Sequence, residues 1–412
     1  MESYGLFLVV TAIVAFYSSF MGGANDLANS MGTSVGSGVL TLKKAVLVAA
    51  IANYAGALLV GQYVTSTIAK GIVSPMAFDV GSNDFIYGMF AALVSTGIFL
   101  HIANHYGLPV STTHSIVGAV VGFGLIAGGT ACVNWKKMGF IVISWFSSPL
   151  VGATLAFTIF IFIRRKLLES KDAKRAVRLV LPVFVVFVFS VIILSFLYKG
   201  LKNLNLGIPF YVSVLIALVV GLTAGVFVRL RVIRQMKKKK NEYDLMNRAF
   251  KSLQVLSASF VAFAHGANDV GNGIGPLAAI ANNLGKTHYQ TRMGIPLWVL
   301  FLGATGIVVG LMVLGYRVIE TVGKKITVIT PVRGFTAEFG AATTVLFASL
   351  LGMPVSTTHT LVGAVIGVGL ARGVDAIDMK VVKRIITSWF VTVPAAACFT
   401  IVIFLIMKTV LS

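Results

Sequence analysis

Long apolar runs alternate with short polar or basic breaks along the whole chain. About 20 apolar residues suffice to cross a bilayer as a helix. The pattern predicts such helices at about 4–38, 45–65 and 85–103, in the run after Pro109, and at 138–163. Two plain apolar helices follow at about 179–198 and 208–228, then five more at 252–281, 294–316, 336–351, 356–371 and 385–410. The fold class expected is an all-α integral membrane protein with about twelve transmembrane helices. Inside the first run, Gly22-Gly23-Ala-Asn25-Asp26 is expected to interrupt the helix at membrane depth.

The pattern repeats itself. Gly107-Leu-Pro-Val-Ser-Thr-Thr-His114 returns as Gly352-Met-Pro-Val-Ser-Thr-Thr-His359, and 359 − 114 = 245. Gly23-Ala-Asn-Asp-Leu-Ala-Asn29 returns as Gly266-Ala-Asn-Asp-Val-Gly-Asn272, and 269 − 26 = 243. Ser144-Trp145-Phe146 returns as Ser388-Trp389-Phe390, and 389 − 145 = 244. Three matched blocks at one spacing mean a duplicated unit. We divide the chain into a first transport repeat, 1–163, a basic stretch with a two-helix hairpin, 164–251, and a second repeat, 252–412.

Charge sets the expected orientation. The chain carries +21, which invites a nucleic-acid reading, but 16 of the 34 lysines and arginines lie in 164–178 and 229–251, beside apolar runs. Basic loops facing the cytoplasm explain them, and no nucleic-acid partner is expected. Five crossings in repeat one then put both termini outside, in a plasma membrane. The two repeats become inverted relative to each other. Inverted repeats with broken or re-entrant helices around a midplane site are a transporter architecture. The hydrophobic fraction of 57% and charged fraction of 11% agree, because soluble domains carry roughly 25% charged residues. The two cysteines suggest neither a metal site nor a disulfide framework.

The chemistry lies in the few polar residues of the apolar runs. Among 13 acidic residues, Asp26, Asp269 and Glu338 fall there. An aspartate at bilayer depth costs about 2.5–3.5 kcal/mol on insertion scales, so a matched pair needs compensation. A capped helix break is the bland reading. Coordination of a hard cation by Asn25, Asp26, Asn268 and Asp269 is the functional one. Ser111-Thr112-Thr113 and Ser356-Thr357-Thr358 read as helix starts, whose free N–H groups favour an anion. Every lysine and arginine lies at the end of a span or in a loop, so an oxyanion beside two aspartates must arrive with mobile cations. Sodium suits the oxygen-rich ligands, while Asp26, Asp269, His114 and His359 leave proton coupling open. Glu338, matched by Leu93, and His265, matched by Gly22, have no counterpart in repeat one. Trp145 and Trp389 read as packing or interfacial residues. An intramembrane hydrolase would need a nucleophile elbow that is absent. A channel with re-entrant helix starts is a second class of reading.

At these residues the sequence resembles the PiT family of inorganic phosphate transporters. Gly23-Ala-Asn-Asp26, His265-Gly-Ala-Asn-Asp269 and both Pro-Val-Ser-Thr-Thr-His copies carry the resemblance, which covers essentially the whole chain. It implies a secondary transporter, not an enzyme, that moves phosphate with a coupling ion, usually sodium. Proton-coupled phosphate transport and sulfate transport also occur among relatives. By resemblance, Asp26 and Asp269 are cation ligands on the Asn25 and Asn268 side, and Ser111–Thr113 and Ser356–Thr358 line the phosphate site. Asn25, Asn268, Ser111 and Ser356 are assigned to both ligand sets, with Glu338, His114 and His359 as coupling residues. Many relatives place a glutamate where this chain has Asn53, which bears on the coupling ion. Expected partners are phosphate, sodium, the bilayer and a second copy in a homodimer.

Overall fold

A computed structural model describes residues 2–79, 83–108, 110–170, 172–200, 208–238, 242–286, 294–315, 330–373 and 379–411. These residues form thirteen α-helices and no named strand. Repeat one contains α1 (Glu2–Gly36), α2 (Leu42–Val60), α3 (Gln62–Lys70), α4 (Asp84–His105), α5 (Thr112–Gly128) and α6 (Trp135–Ile163). The hairpin is α7 (Ala173–Leu194) and α8 (Phe210–Lys238). Repeat two contains α9 (Glu242–Asn283), α10 (Leu297–Val313), α11 (Pro331–Leu350), α12 (Thr357–Leu370) and α13 (Met379–Leu411). Seven helices are long and apolar enough to cross a membrane, and α5, α10 and α12 are shorter apolar helices. At 1.5 Å per residue, α5 and α12 span only about 26 and 21 Å, less than the roughly 30 Å hydrocarbon core. Each starts deep inside the protein.

The expected break at Gly22–Asp26 does not occur. Helix α1 is continuous from Glu2 to Gly36, and α9 from Glu242 to Asn283. Glycine serves close packing here. A Cβ at Gly23 would lie 2.1 Å from the Ile307 carbonyl oxygen on α10, and one at Gly266 would lie 2.0 Å from that of Asn53 on α2. The backbone carbonyls at this depth stay within the helices, which leaves the polar side chains as the groups available to a ligand. The second basic block is also more helical than expected, extending α8 through Lys238 and opening α9 at Glu242. Arg229, Arg231, Arg234, Arg248 and Lys251 are exposed. Residues 239–241 and Pro109 lie outside the described residues, as does the side chain of Trp389.

Packing between the repeats is reciprocal. Gly56 on α2 meets the Phe263 carbonyl on α9, and Gly310 on α10 meets the Phe20 carbonyl on α1. Gly118 on α5 meets Val393 on α13, and Gly363 on α12 meets Pro149 on α6. Small residues let helix backbones approach closely in an apolar medium, where van der Waals packing drives association. Among the described residues the two larger apolar clusters each draw on both halves of the chain. Helices α1 and α9 pass in opposite directions. Ser19 lies against Gly273 at one level, while Thr33 and Ser34 share Glu338 with Ser257 at another. Helices α7 and α8 pack on each other, with α7 also touching α9.

Candidate functional site

The two duplicated motifs meet at the crossing of α1 and α9. Asp26 and Asp269 approach the same imidazole: His265 Nε2 is 2.8 Å from Asp269 Oδ2 and 3.4 Å from Asp26 Oδ2. Helical spacing explains part of this, since residues four apart share a face. The other His265 nitrogen, Nδ1, lies 2.5 Å from Asn53 Oδ1 on α2. One ligand-capable atom from each of Asp26, His265 and Asp269 lies within 4.8 Å of the others, so this trio can hold a metal ion. All three are buried. Even a protonated imidazole offsets only one of two ionised carboxylates.

Three residues beyond each aspartate stands an asparagine on the same face. Asn29 Nδ2 donates to Asp26 Oδ1 at 2.6 Å and to Thr358 Oγ1 at 2.7 Å. Asn272 Nδ2 donates to Asp269 Oδ1 at 3.0 Å and lies 3.1 Å from both Thr112 Oγ1 and Thr113 Oγ1. Thr357 donates to Asp269 Oδ2 at 2.9 Å, and Thr113 Oγ1 sits 3.5 Å from Asp269 Oδ1. Each aspartate-bearing helix thereby grips a threonine-rich helix start. Asn29 and Asn272 lie within the matched motif, and their three-residue spacing from the aspartates is the signal that the sequence offers for them.

The helix starts converge. Ser111 Oγ accepts from His114 N at 3.1 Å, and Ser356 Oγ accepts from His359 N at 3.2 Å, so both serines cap their helices. Thr113 Oγ1 donates to the Val355 carbonyl at 3.0 Å. The rings of His114 and His359 stand edge to face at 4.4 Å, and His114 packs on Trp145 at 3.9 Å. Two helix N-termini pointing into one region favour negative charge there. Asn25 and Asn268 hold the links that precede these starts. Asn25 Nδ2 donates to Asn104 Oδ1 at 2.7 Å and the Leu108 carbonyl at 3.1 Å. Asn268 Nδ2 donates to Ser349 Oγ at 2.9 Å and the Met353 carbonyl at 3.2 Å. Their Oδ1 atoms are buried without a hydrogen-bond donor, which leaves an oxygen for a cation. In each link a glycine adopts positive φ, Gly107 at 62° and Gly352 at 69°, the conformation glycine supplies just past a helix end.

Glu338 stands apart from this centre. It is buried on α11 and accepts from Thr33, Ser34 and Ser257. Thr33 lies seven residues beyond Asp26 on α1, about 10 Å along the axis. A narrow cavity of about 10 Å³ adjoins the carboxylate pair and is lined by residues including Ser19, Thr112, His265, Asp269 and Asn272. No lysine or arginine lines it. A larger apolar cavity of about 300 Å³ lies beyond the paired histidines, between Trp145, Phe146 and Phe390.

Known proteins resemble this chain in sequence and in fold. The model of a phosphate transporter family matches residues 22–400. The chain is 47% identical over 407 residues to a "Putative phosphate permease" of Pyrococcus abyssi, covering 97% of this chain and 98% of that one. It is 40% identical to a protein of the same description from Haemophilus influenzae, with 99% of each chain covered. A solved structure of a sodium-dependent phosphate transporter superposes with a TM-score of 0.93 and 40% identity, over 98% of this chain and all of that one. This is a family of multi-pass transporters and not an enzyme class, and the chain, matched across nearly all its length, belongs to the phosphate transporter family.

Proposed function

We propose that the chain carries inorganic phosphate into the cell together with sodium, by alternating access. One observation carries this reading: two buried carboxylates and two anion-favouring helix starts meet with no lysine or arginine lining the adjoining cavity. An oxyanion alone would be repelled there, and a cation alone would leave the helix starts unused. Together they neutralise the site. Thr112, Thr113, Thr357 and Thr358, with the N–H groups beside them, take the phosphate. Asp26 and Asp269, with the free oxygens of Asn25 and Asn268, take sodium. Ser111 and Ser356 shape both helix starts, and Glu338, His114 and His359 serve coupling. The sodium dependence of the similar solved transporter supports sodium as the ion.

A cavity of about 10 Å³ accepts roughly one water and cannot take a phosphate. The site must therefore open to each side in turn. Opposed α1 and α9, and reciprocal packing of the repeats, support an inverted pair that rocks about this centre. In this reading 164–251 faces the cytoplasm of a plasma membrane, and both termini face outward. A second reading, proton coupling, is favoured by one observation: His265 sits between two carboxylates. The deciding experiment is uptake of radiolabelled phosphate into liposomes containing the purified chain. Saturable uptake driven by an imposed sodium gradient is expected. Uptake driven by a proton gradient alone would replace sodium, and passive anion conductance would replace the carrier.

A further inference from the structure

The narrow cavity beside the carboxylates has an unusual lining. Ser18 and Ser19 on α1 and Thr96 on α4 border it, with Gly22, Thr112, Asp269 and Asn272. Ser18, Ser19 and Thr96 are at most 3% exposed. Their hydroxyl oxygens have no hydrogen-bond partner, and neither has Asn272 Oδ1. Buried polar groups are almost always satisfied, so four orphaned oxygens on one cavity call for an occupant. The repeat sharpens the point. At the repeat's own spacing, Ser18, Ser19 and Thr96 correspond to Val261, Ala262 and Ala341, which are buried and apolar. The hydroxyl lining is thus absent from the matching place in repeat two and is not a by-product of duplication.

We infer that Ser18, Ser19, Thr96 and Asn272, beside Asp269, form a cation subsite for one dehydrated ion of sodium's size, on one side of the central carboxylate pair. Four neutral oxygens with a nearby carboxylate are the ligand chemistry of a hard monovalent cation. The volume admits an ion or a water and excludes phosphate. It borders α1 at Ser18, Ser19 and Gly22, on the side of Asp26 opposite to Thr33 and Glu338. An ion here waits beside Asp269 and moves to the centre when phosphate arrives. This deepens the proposed sodium coupling and rests on it.

The test uses the full-length purified chain with Thr96→Val, Ser19→Ala and the conservative Thr96→Ser. Removing an unpartnered buried hydroxyl leaves folding intact or improves it, so the valine and alanine variants should retain wild-type thermal stability without sodium. Two readouts follow: the sodium-induced rise in melting temperature without phosphate, and the half-saturating sodium concentration for phosphate uptake. Thr96→Val and Ser19→Ala should each shrink the rise and raise half-saturation about 10-fold, a loss of about 1.4 kcal/mol in ion binding. Thr96→Ser should restore both. Unchanged values in both variants, with wild-type uptake still sodium-driven, would overturn the subsite alone and mark the cavity as holding water. Wild-type uptake indifferent to sodium would overturn the coupling reading and this subsite together.

Discussion

The two repeats agree in their packing and in their duplicated motifs, and they disagree in a few other polar residues. Gly23 against Ile307 and Gly266 against Asn53 are the same close approach written twice. So are the two serine caps and the two asparagines that hold the preceding links. Yet His265 faces the site where repeat one has Gly22, and Glu338 gathers three hydroxyls where repeat one has Leu93. On the other side, Ser18, Ser19 and Thr96 stand where repeat two has Val261, Ala262 and Ala341. The symmetric residues are those that pack the two halves around a shared centre. The asymmetric ones give the two sides of that centre different chemistry. Under the proposed coupling, a strictly symmetric carrier would have no preferred side for its ion, whereas here one side of the centre holds a buried carboxylate and the other a hydroxyl-lined cavity.

The comparison can be tested first at its centre. Asp269 accepts from Asn272 and Thr357 and lies 2.8 Å from His265 Nε2, while Asp26 accepts from Asn29 and stands farther from that nitrogen, at 3.4 Å. Asp269→Asn should therefore cut phosphate uptake by about 100-fold or more, a loss of about 2.7 kcal/mol in the transport step. Asp26→Asn should cost less, with both proteins still eluting as folded species in detergent. Equal losses would mean that the imidazole's lean toward Asp269 has no consequence. Next come the twinned glycines. Gly23→Ala and Gly266→Ala each drive a methyl into a backbone carbonyl, at about 1–3 kcal/mol for overpacking. Thermal melting of the two variants should show closely matched destabilisation, and a one-sided effect would argue against reciprocal packing.

The asymmetric arm calls for a different readout. Glu338→Gln keeps the shape and most hydrogen bonds but removes the ionisable carboxyl. The half-saturating sodium concentration for uptake should rise about 10-fold, equivalent to about 1.4 kcal/mol, while phosphate saturation at high sodium changes little. A purely structural Glu338 would instead shift the melting temperature and leave the sodium dependence alone. The smallest effects belong to the caps. Ser111→Ala and Ser356→Ala each remove one capping acceptor at about 1 kcal/mol, and melting curves should register the two as equals. Any excess loss of uptake in one of them would show that its hydroxyl also touches a substrate.

Much of this architecture is legible in the amino-acid sequence. The apolar runs give most of the helices and their approximate limits because a run of about 20 apolar residues is a local property of the chain, although the one expected at 45–65 is two, α2 and α3. The duplication, the matched Asn-Asp pairs and the doubled Ser-Thr-Thr-His starts are visible by alignment of the chain with itself. Asn29 and Asn272 lie inside the repeated motif, and helical spacing places them beside their aspartates. What stays hidden depends on neighbours. Glycine next to Asn25-Asp26 looks like a helix breaker in one dimension, and only the backbones of α2 and α10 show that it is a contact surface. In sequence His265 is an unpaired departure from the repeat; in space Asn53, 212 residues away, and both aspartates close around it. The partners of Glu338 come from α1 and α9, and the cavity of orphaned hydroxyls exists only where α1, α4, α5, α9 and α10 meet. Hydropathy and motif spacing report what each segment is. Which polar atoms are shielded together, and which of them lack a partner, is set by the packing of segments hundreds of residues apart.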